Sequence, residues 1–358
     1  MPLNVSRRSR PTLFVVLAAA LVAGLSAFTP ATPPTPTADS TGDPALARRL
    51  RLAVGDLPGQ GFAAAAGDRL TSAQAAIGEA SPGRPLTATT PQEIGSVTKS
   101  MTGLLFADAV ERGEVTPATT LGELYPGLPG ELAVTTLTEL ATHTSGLPRL
   151  STRAQLRSLV TNLTYGNPYE WDTPGSLLSD AGSTWLRTPR GEFSYSNLGY
   201  ALLGQALAVR AGAPYPQLLT DRVLAPLGMT ATVAAPDPLP AGRALERAAD
   251  GRRTTPWSST GSVPAGIGVY STAADLGRLA AAAVSGDVPG SAALAGWGWF
   301  PAEVDGRTLL GNNGATYGVQ SSIWLEPSSG RWVAVTSPSG SAGVDTQTIA
   351  FRLLGIDV

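Results

Sequence analysis

Apolar and polar positions along this chain follow two different periods, and the switches between them predict the layout. In "PALARRLRLAVG", residues 44–55, apolar side chains recur at helical spacing. "GFAAAAGDRLTSAQAAIGEA", residues 61–80, is two short apolar runs about a Gly-Asp turn and predicts a β-hairpin. From Ser96 to Val115, the residues Met101, Leu104, Leu105, Ala109 and Val110 fall on one face of a helix. The middle of the chain carries helical patterns such as the amphipathic "LGYALLGQALAVRAG", separated by Pro and Gly loops. After "AGIGVYSTAADLGRLAAAAVSG", the segments "SSIWLEP" and "RWVAVTSPS" predict strands on either side of a turn "SSG", and "VDTQTIAFRLLG" predicts a closing helix. There is no internal repeat. Strands and helices at both ends predict an α/β layer, about 45–115 and 265–358, around a helical insertion, about 116–264.

The first 29 residues break this pattern. Arg7, Arg8 and Arg10 precede an uncharged, mostly apolar run from Leu13 to Phe28, the shape of a signal for export. The run is short beside the roughly 20 residues of a membrane span. Gly24-Leu25-Ser26 and Ala27-Phe28-Thr29 offer passable cleavage sites, and an uncleaved anchor is the alternative, so the expected place is outside the cell or on its envelope. Residues 30–44, rich in proline, threonine and small polar side chains, predict an extended linker, with folded material from about Ala45.

Composition narrows the chemistry. With 358 residues, 43% of them hydrophobic, the chain can bury a large core. Its net charge of −2, with no basic stretch beyond the N-terminus, gives no footing for nucleic acid, and membrane contact is expected only through the N-terminal segment. Without cysteine there is no disulfide, thiol nucleophile or thiolate metal site. His143 is the single histidine, which rules out a multi-histidine metal centre, and no acidic loop has calcium-ligand spacing. No cofactor or metal is expected.

Of the 25 Lys and Arg residues, the only lysine is Lys99, three positions after Ser96 in "QEIGSVTKSMTGLLF". A lysine can be shifted to act as a base, which arginine cannot do, although a chance surface lysine reads the same way. On a helix beginning at Ser96, Lys99 lies one turn on and on the same face, and Gly95 allows the tight entry. A serine hydroxyl needs such a base to become a nucleophile, and a helix N-terminus aims N–H groups at a developing oxyanion. Further on, "RGEFSYSNLGYALLGQAL" sets Tyr195-Ser196-Asn197 before a helix. A phenol beside an ammonium has a lowered pKa and can shuttle the serine proton, and an Asn amide can orient a carbonyl. The plainer readings are a packed loop aromatic for Tyr195 and a helix N-cap for Asn197.

Taken together, "GSVTKSMTGLLF", the Tyr195-Ser196-Asn197 stretch, "ELATHTSGLP", "VLAPLGMTAT" and "PAGIGVYSTAADLGRL" resemble the serine β-lactamase and penicillin-binding superfamily. The closer likeness is to its class C β-lactamase, DD-peptidase and family VIII esterase group. The resemblance runs from about Ala45 to the C-terminus. It implies an α+β fold, an antiparallel β-sheet flanked by helices with a large helical insertion. It also implies that Ser96 is the acylated nucleophile, Lys99 its partner, Tyr195 the general base and Asn197 a substrate contact.

The third motif of that group, Lys or His, then a variable residue, then Gly, is here Asn312-Asn313-Gly314. By the resemblance, Gly314 leaves room for substrate along a strand and the Ala315 N–H is the second oxyanion donor. Asn312 stands where the cation belongs, which implies either a hydrolase that does not select carboxylate-bearing substrates or a homologue without activity. The intact Ser96, Lys99 and Tyr195 favour the first. His143 could be a triad base, but no G-x-S-x-G elbow accompanies it, and its turn-rich loop reads as a structural corner near the site. Tyr270, Trp297, Trp299, Tyr317 and Trp324 could line an acyl pocket and are read as core. The expectation is an exported serine hydrolase acting through an acyl-enzyme on a small-molecule or peptidoglycan-like ester or amide. The alternative is a catalytically silent wall-binding or sensor domain.

Overall fold

The computed structural model describes residues 34–182, 188–340 and 344–358, so the leader expected over 1–29 and the start of the linker lie outside the described residues. The strands, in chain order, are β1 (Ser40–Gly42), β2 (Gly61–Gly67), β3 (Ser72–Ser81), β4 (Arg84–Pro85), β5 (Gln92–Glu93), β6 (Val233–Ala234) and β7 (Val269–Ser271). They continue with β8 (Phe300–Val304), β9 (Arg307–Ala315), β10 (Gln320–Glu326) and β11 (Arg331–Ser337). The six longer helices used below are α1 (Pro44–Val54), α2 (Thr98–Glu111), α3 (Thr152–Thr164), α4 (Asn197–Ala211), α5 (Ala273–Ser285) and α6 (Thr346–Leu353).

An antiparallel sheet of eight strands runs β1-β3-β2-β11-β10-β9-β8, with β4 beside β3, so the two ends of the chain meet at the β2–β11 pair. Both faces are covered, as the expected α+β architecture requires. Along β11, Val333 and Val335 join α1 and α6 on one face, while Trp332 and Ala334 join α5 on the other. Because both faces are dry, this strand reads as a continuous apolar run rather than an alternating one. The alanines of β2 let α5 approach closely, and a Cβ on Gly277 would stand 2.7 Å from Ala65 Cβ. Between the halves of the sheet, the chain from about 116 to 264 is mostly short helices and loops around α3 and α4.

The helices expected over 44–55 and at the C-terminal end and the hairpin expected over 61–80 are present. Asp43 caps α1 by accepting from the Leu46 N–H at 2.7 Å, Pro44 opens the helix and Gly55 ends it. The β2–β3 hairpin turns at Asp68, whose Oδ1 accepts from the N–H groups of Leu70 and Thr71. Asp345 caps α6 in the same manner.

Other expectations need correction. The linker expected over 30–44 is docked at its C-terminal end, because Ser40–Gly42 pair with β3 and the Pro34 carbonyl accepts from Gly59 N–H at 2.7 Å. The backbone of an extended segment fills an open sheet edge whatever its side chains are. Neither α2 nor α4 is an amphipathic surface helix: α2 is buried from Thr98 to Ala109 and α4 from Asn197 to Ala208. Several of their polar residues bond internally, as where Ser100 Oγ donates to the Gly298 carbonyl at 2.8 Å. The β8–β9 hairpin had its signal in Asp305-Gly306, which take φ of 50° and 70° in a tight turn, a preference that Asp-Gly is known for.

Candidate active site

β5 pairs with β7 and leads directly into a single 3-10 turn, Gly95–Val97, from which α2 continues. Ser96 stands on that turn. Two ties fix it: the Ile94 N–H donates to the Val269 carbonyl at 2.9 Å, and Ser321 Oγ on β10 donates to the Ile94 carbonyl at 2.6 Å. Space around the turn is so tight that β9 must carry glycine at its closest point. A Cβ on Gly314 would lie 2.0 Å from the Ile94 carbonyl oxygen and 2.9 Å from Ser96 N. Gly95, at φ 49°, has Ala315 N 2.9 Å from where its own Cβ would be. The backbone of Gly314 and Ala315 is therefore packed directly against the Gly95–Ser96 turn.

Three side chains named from the sequence converge. Lys99 Nζ, fully buried, donates to Ser96 Oγ at 2.9 Å and to the Ala265 carbonyl at 2.5 Å. The Tyr195 hydroxyl donates to the same Ser96 Oγ at 2.8 Å. Burial pushes the Lys99 ammonium below the usual lysine range, with Arg149 adding to the effect and Tyr195 opposing it. Burial alone would raise Tyr195, but the Lys99 charge and the bonds to Ser96 and Lys99 outweigh it and bring the phenol below its ordinary value. Base and acid are thus drawn toward each other around one hydroxyl, an arrangement in which the Ser96 proton can pass to Tyr195 beside the Lys99 charge.

His143 shapes this centre without joining it. It is fully buried, and its Nδ1 accepts from the Ser196 N–H at 3.0 Å, which makes the ring the neutral tautomer with hydrogen on Nε2. Burial, then Lys99, pushes its pKa down to about 3. Its ring lies 4.4 Å from that of Tyr195 and 4.8 Å from that of Tyr200, so it wedges the base from behind. Hydrogen bonding to Ser196 rather than to Ser96 leaves no triad.

The cleft above Ser96 has a volume of about 470 Å³, and its walls include Tyr195, Phe193, Phe300, Trp324, Arg149 and the β9 run from Gly311 to Ala315. Asn312 lies in the cleft wall and Asn197 outside it. The Asn312 amide is spent on the scaffold, its Nδ2 donating to the Gly298 carbonyl at 2.9 Å and its Oδ1 accepting from Asn313 N–H at 2.8 Å. Asn197 is not among the cleft walls, and Ser196, not Asn197, is the N-cap of α4. Asn197 Nδ2 donates to the Tyr169 hydroxyl at 2.7 Å, while its Oδ1 has no partner among the described residues. Of the aromatics read as core, Tyr270 and Trp299 are buried, whereas Trp324 also reaches the cleft and donates to Asn313 Oδ1 at 3.2 Å.

Sequence reasoning missed two contributors. The Ala265 carbonyl that anchors Lys99 is a backbone group, and no side-chain pattern reports it. Arg149, at the end of the "HTSGLPR" stretch, is one arginine among many and carries no local signal of its own.

Comparison with known proteins places the chain in a family and a fold. The family model described as Beta-lactamase matches residues 46–353. The D-alanyl-D-alanine-carboxypeptidase/endopeptidase AmpH of Escherichia coli (strain K12) is 32% identical over 192 residues, 52% of this chain and 46% of AmpH, so the chain spans about half the length of that relative. Penicillin-binding protein 4 of Amycolatopsis lactamdurans is 28% identical over 302 residues, 73% of this chain and 75% of that protein. Among solved structures, a class C beta lactamase from Rhodobacter sphaeroides superposes with a TM-score of 0.73 at 21% identity, over 87% of this chain and 99% of its own, a likeness of fold.

Proposed function

The chain belongs to the Beta-lactamase family, and we propose that it is an exported serine hydrolase that cleaves a small ester or amide through an acyl-enzyme on Ser96. One observation carries the reading: Ser96 Oγ receives Lys99 Nζ at 2.9 Å and the Tyr195 hydroxyl at 2.8 Å at the floor of an open cleft. Arg7, Arg8 and Arg10 ahead of the apolar run Leu13–Phe28 support export.

In acylation, Tyr195 as phenolate takes the Ser96 proton while Oγ attacks the carbonyl carbon. The oxygen of the resulting tetrahedral intermediate, now negative, lies toward the Ser96 and Ala315 N–H groups. Tyr195 then hands its proton to the departing oxygen or nitrogen, the bond to the leaving group breaks, and the ester on Ser96 remains. Water repeats the sequence, giving its proton to Tyr195 as it attacks, and the acid is released as Ser96 recovers its hydrogen. Lys99 keeps a positive charge beside the phenolate throughout, held between Ser96 Oγ and the Ala265 carbonyl.

The test is turnover of 4-nitrophenyl acetate, nitrocefin and a D-alanyl-D-alanine tripeptide by the full chain and by Ser96→Ala. Hydrolysis of at least one substrate, abolished in the variant, is the expected result. Reversible binding with no turnover of any of the three contradicts it and leaves a silent binding domain.

A further inference from the structure

The proposed reaction says nothing of where the substrate's charge is read. β9 offers no cation, since Asn312 is neutral and its amide is committed to Gly298 and Asn313. The opposite wall does. Arg149 follows the buried Leu147 and Pro148, and its own carbonyl accepts from the N–H groups of Asn197 and Leu198 at 3.0 and 3.2 Å. The start of α4 therefore fixes the backbone of Arg149 next to Tyr195. Its guanidinium carbon lies 5.3 Å from the centre of the Tyr195 ring, and the side chain is an exposed wall of the cleft.

Three facts bear on what this arginine does. No carboxylate pairs with it among the described residues, whereas Arg157, Arg190, Arg222, Arg243 and Arg307 each hold one. Lys99 Nζ lies 5.1 Å from the centre of the same Tyr195 ring, so two cations flank one phenol on this side of the cleft. The carboxylate of Asp345, in the same cleft, is occupied by the N–H groups of Gln347 and Thr348 and by Thr348 Oγ1.

We infer that Arg149 is the anion receptor of this cleft, binding a carboxylate or similar charged group carried on the substrate's leaving group. The side follows from the chemistry: Tyr195 must deliver its proton to the leaving atom, and Arg149 rests on the ring of Tyr195. The inference rests on the serine hydrolase reading for its substrate. It moves charge selection from the β9 position, where the sequence pointed, to the loop behind His143, and a planar guanidinium suits a carboxylate fork.

The experiment compares two acetates that differ only in the charge on the leaving group, 4-nitrophenyl acetate and 3-carboxy-4-nitrophenyl acetate, on the full chain, Arg149→Gln and Arg149→Lys. The anionic-to-neutral ratio of kcat/KM is expected to fall about 10-fold or more in Arg149→Gln, mainly through KM, and to recover in part in Arg149→Lys. An unchanged ratio overturns the inference. So does an equal loss on both esters through kcat, which would show Arg149 acting only through Tyr195. A second readout needs no turnover: binding of the anionic product 5-hydroxy-2-nitrobenzoate by calorimetry. It should weaken about 10-fold in Arg149→Gln, and equal affinity, or no binding to wild type, counts against the inference. Fluorophosphonate labelling of Ser96 in the same samples reports separately on the hydrolase reading.

Discussion

The Tyr195 hydroxyl lies 2.8 Å from Ser96 Oγ, on the same oxygen that Lys99 Nζ reaches at 2.9 Å. Two groups that share one proton acceptor act as one unit. Tyr195→Phe and Lys99→Ala should each lower kcat by roughly 10² to 10⁴, and the double variant should be hardly worse than either single. Losses that multiply in the double variant would mean two independent contributions. Lys99→Arg should recover little, because the larger planar guanidinium does not fit where the buried Nζ sits between Ser96 Oγ and the Ala265 carbonyl.

The same pair sets the pH dependence. Lys99 holds Tyr195 below its ordinary value, so removing the ammonium lets the phenol rise. Since the phenolate is the base, the acid limb of kcat/KM should move to higher pH in Lys99→Ala, read from profiles of the residual activity. A limb that stays in place would assign it to another group.

His143 should govern acid stability. In the fold its pKa is pushed from 6.5 to about 3. Below pH 6.5 the unfolded chain binds a proton that the native ring refuses, so stability falls as pH drops from 6.5 toward 3. The linkage is worth up to about 5 kcal/mol. His143→Asn retains an acceptor for the Ser196 N–H but not the titration. Its urea midpoint should therefore change less than that of wild type between pH 7 and pH 4. Parallel pH dependences in the two proteins would contradict the assignment.

Gly314 should tolerate no side chain. An added methyl would meet the Ile94 carbonyl at 2.0 Å and Ser96 N at 2.9 Å, both backbone atoms of the nucleophile turn. Gly314→Ala should cost about 1–3 kcal/mol in stability and, because the turn must shift, on the order of 10²-fold in kcat. Wild-type kcat in the variant would show that the turn moves without consequence.

What the sequence disclosed divides along physical lines. The α1 helix, the β2–β3 hairpin and the β10–β11 pair were legible because their signals are local: apolar residues at helical spacing, a Gly-Asp turn, apolar runs of strand length. Ser96 with Lys99 was legible because the spacing is set by one helical turn. The burial of α2 and α4 on all sides was not, since a one-sided apolar pattern cannot report what covers the other side. The hydrogen bonds of Asn312 were hidden for a related reason. Its place in the motif was read correctly, but whether an amide faces substrate or the Gly298 carbonyl depends on a segment remote in sequence. Arg149 depends on the same kind of knowledge, the fold that brings the loop after His143 against Tyr195.

The central claim is that Ser96 becomes covalently acylated, and intact-mass analysis after treatment with a fluorophosphonate or a fluorescent penicillin tests it most directly. Wild type should gain one adduct with at least one probe, mapped to the peptide containing Ser96, and Ser96→Ala should gain none. Equal labelling of Ser96→Ala, or a wild type that no probe modifies, would contradict it.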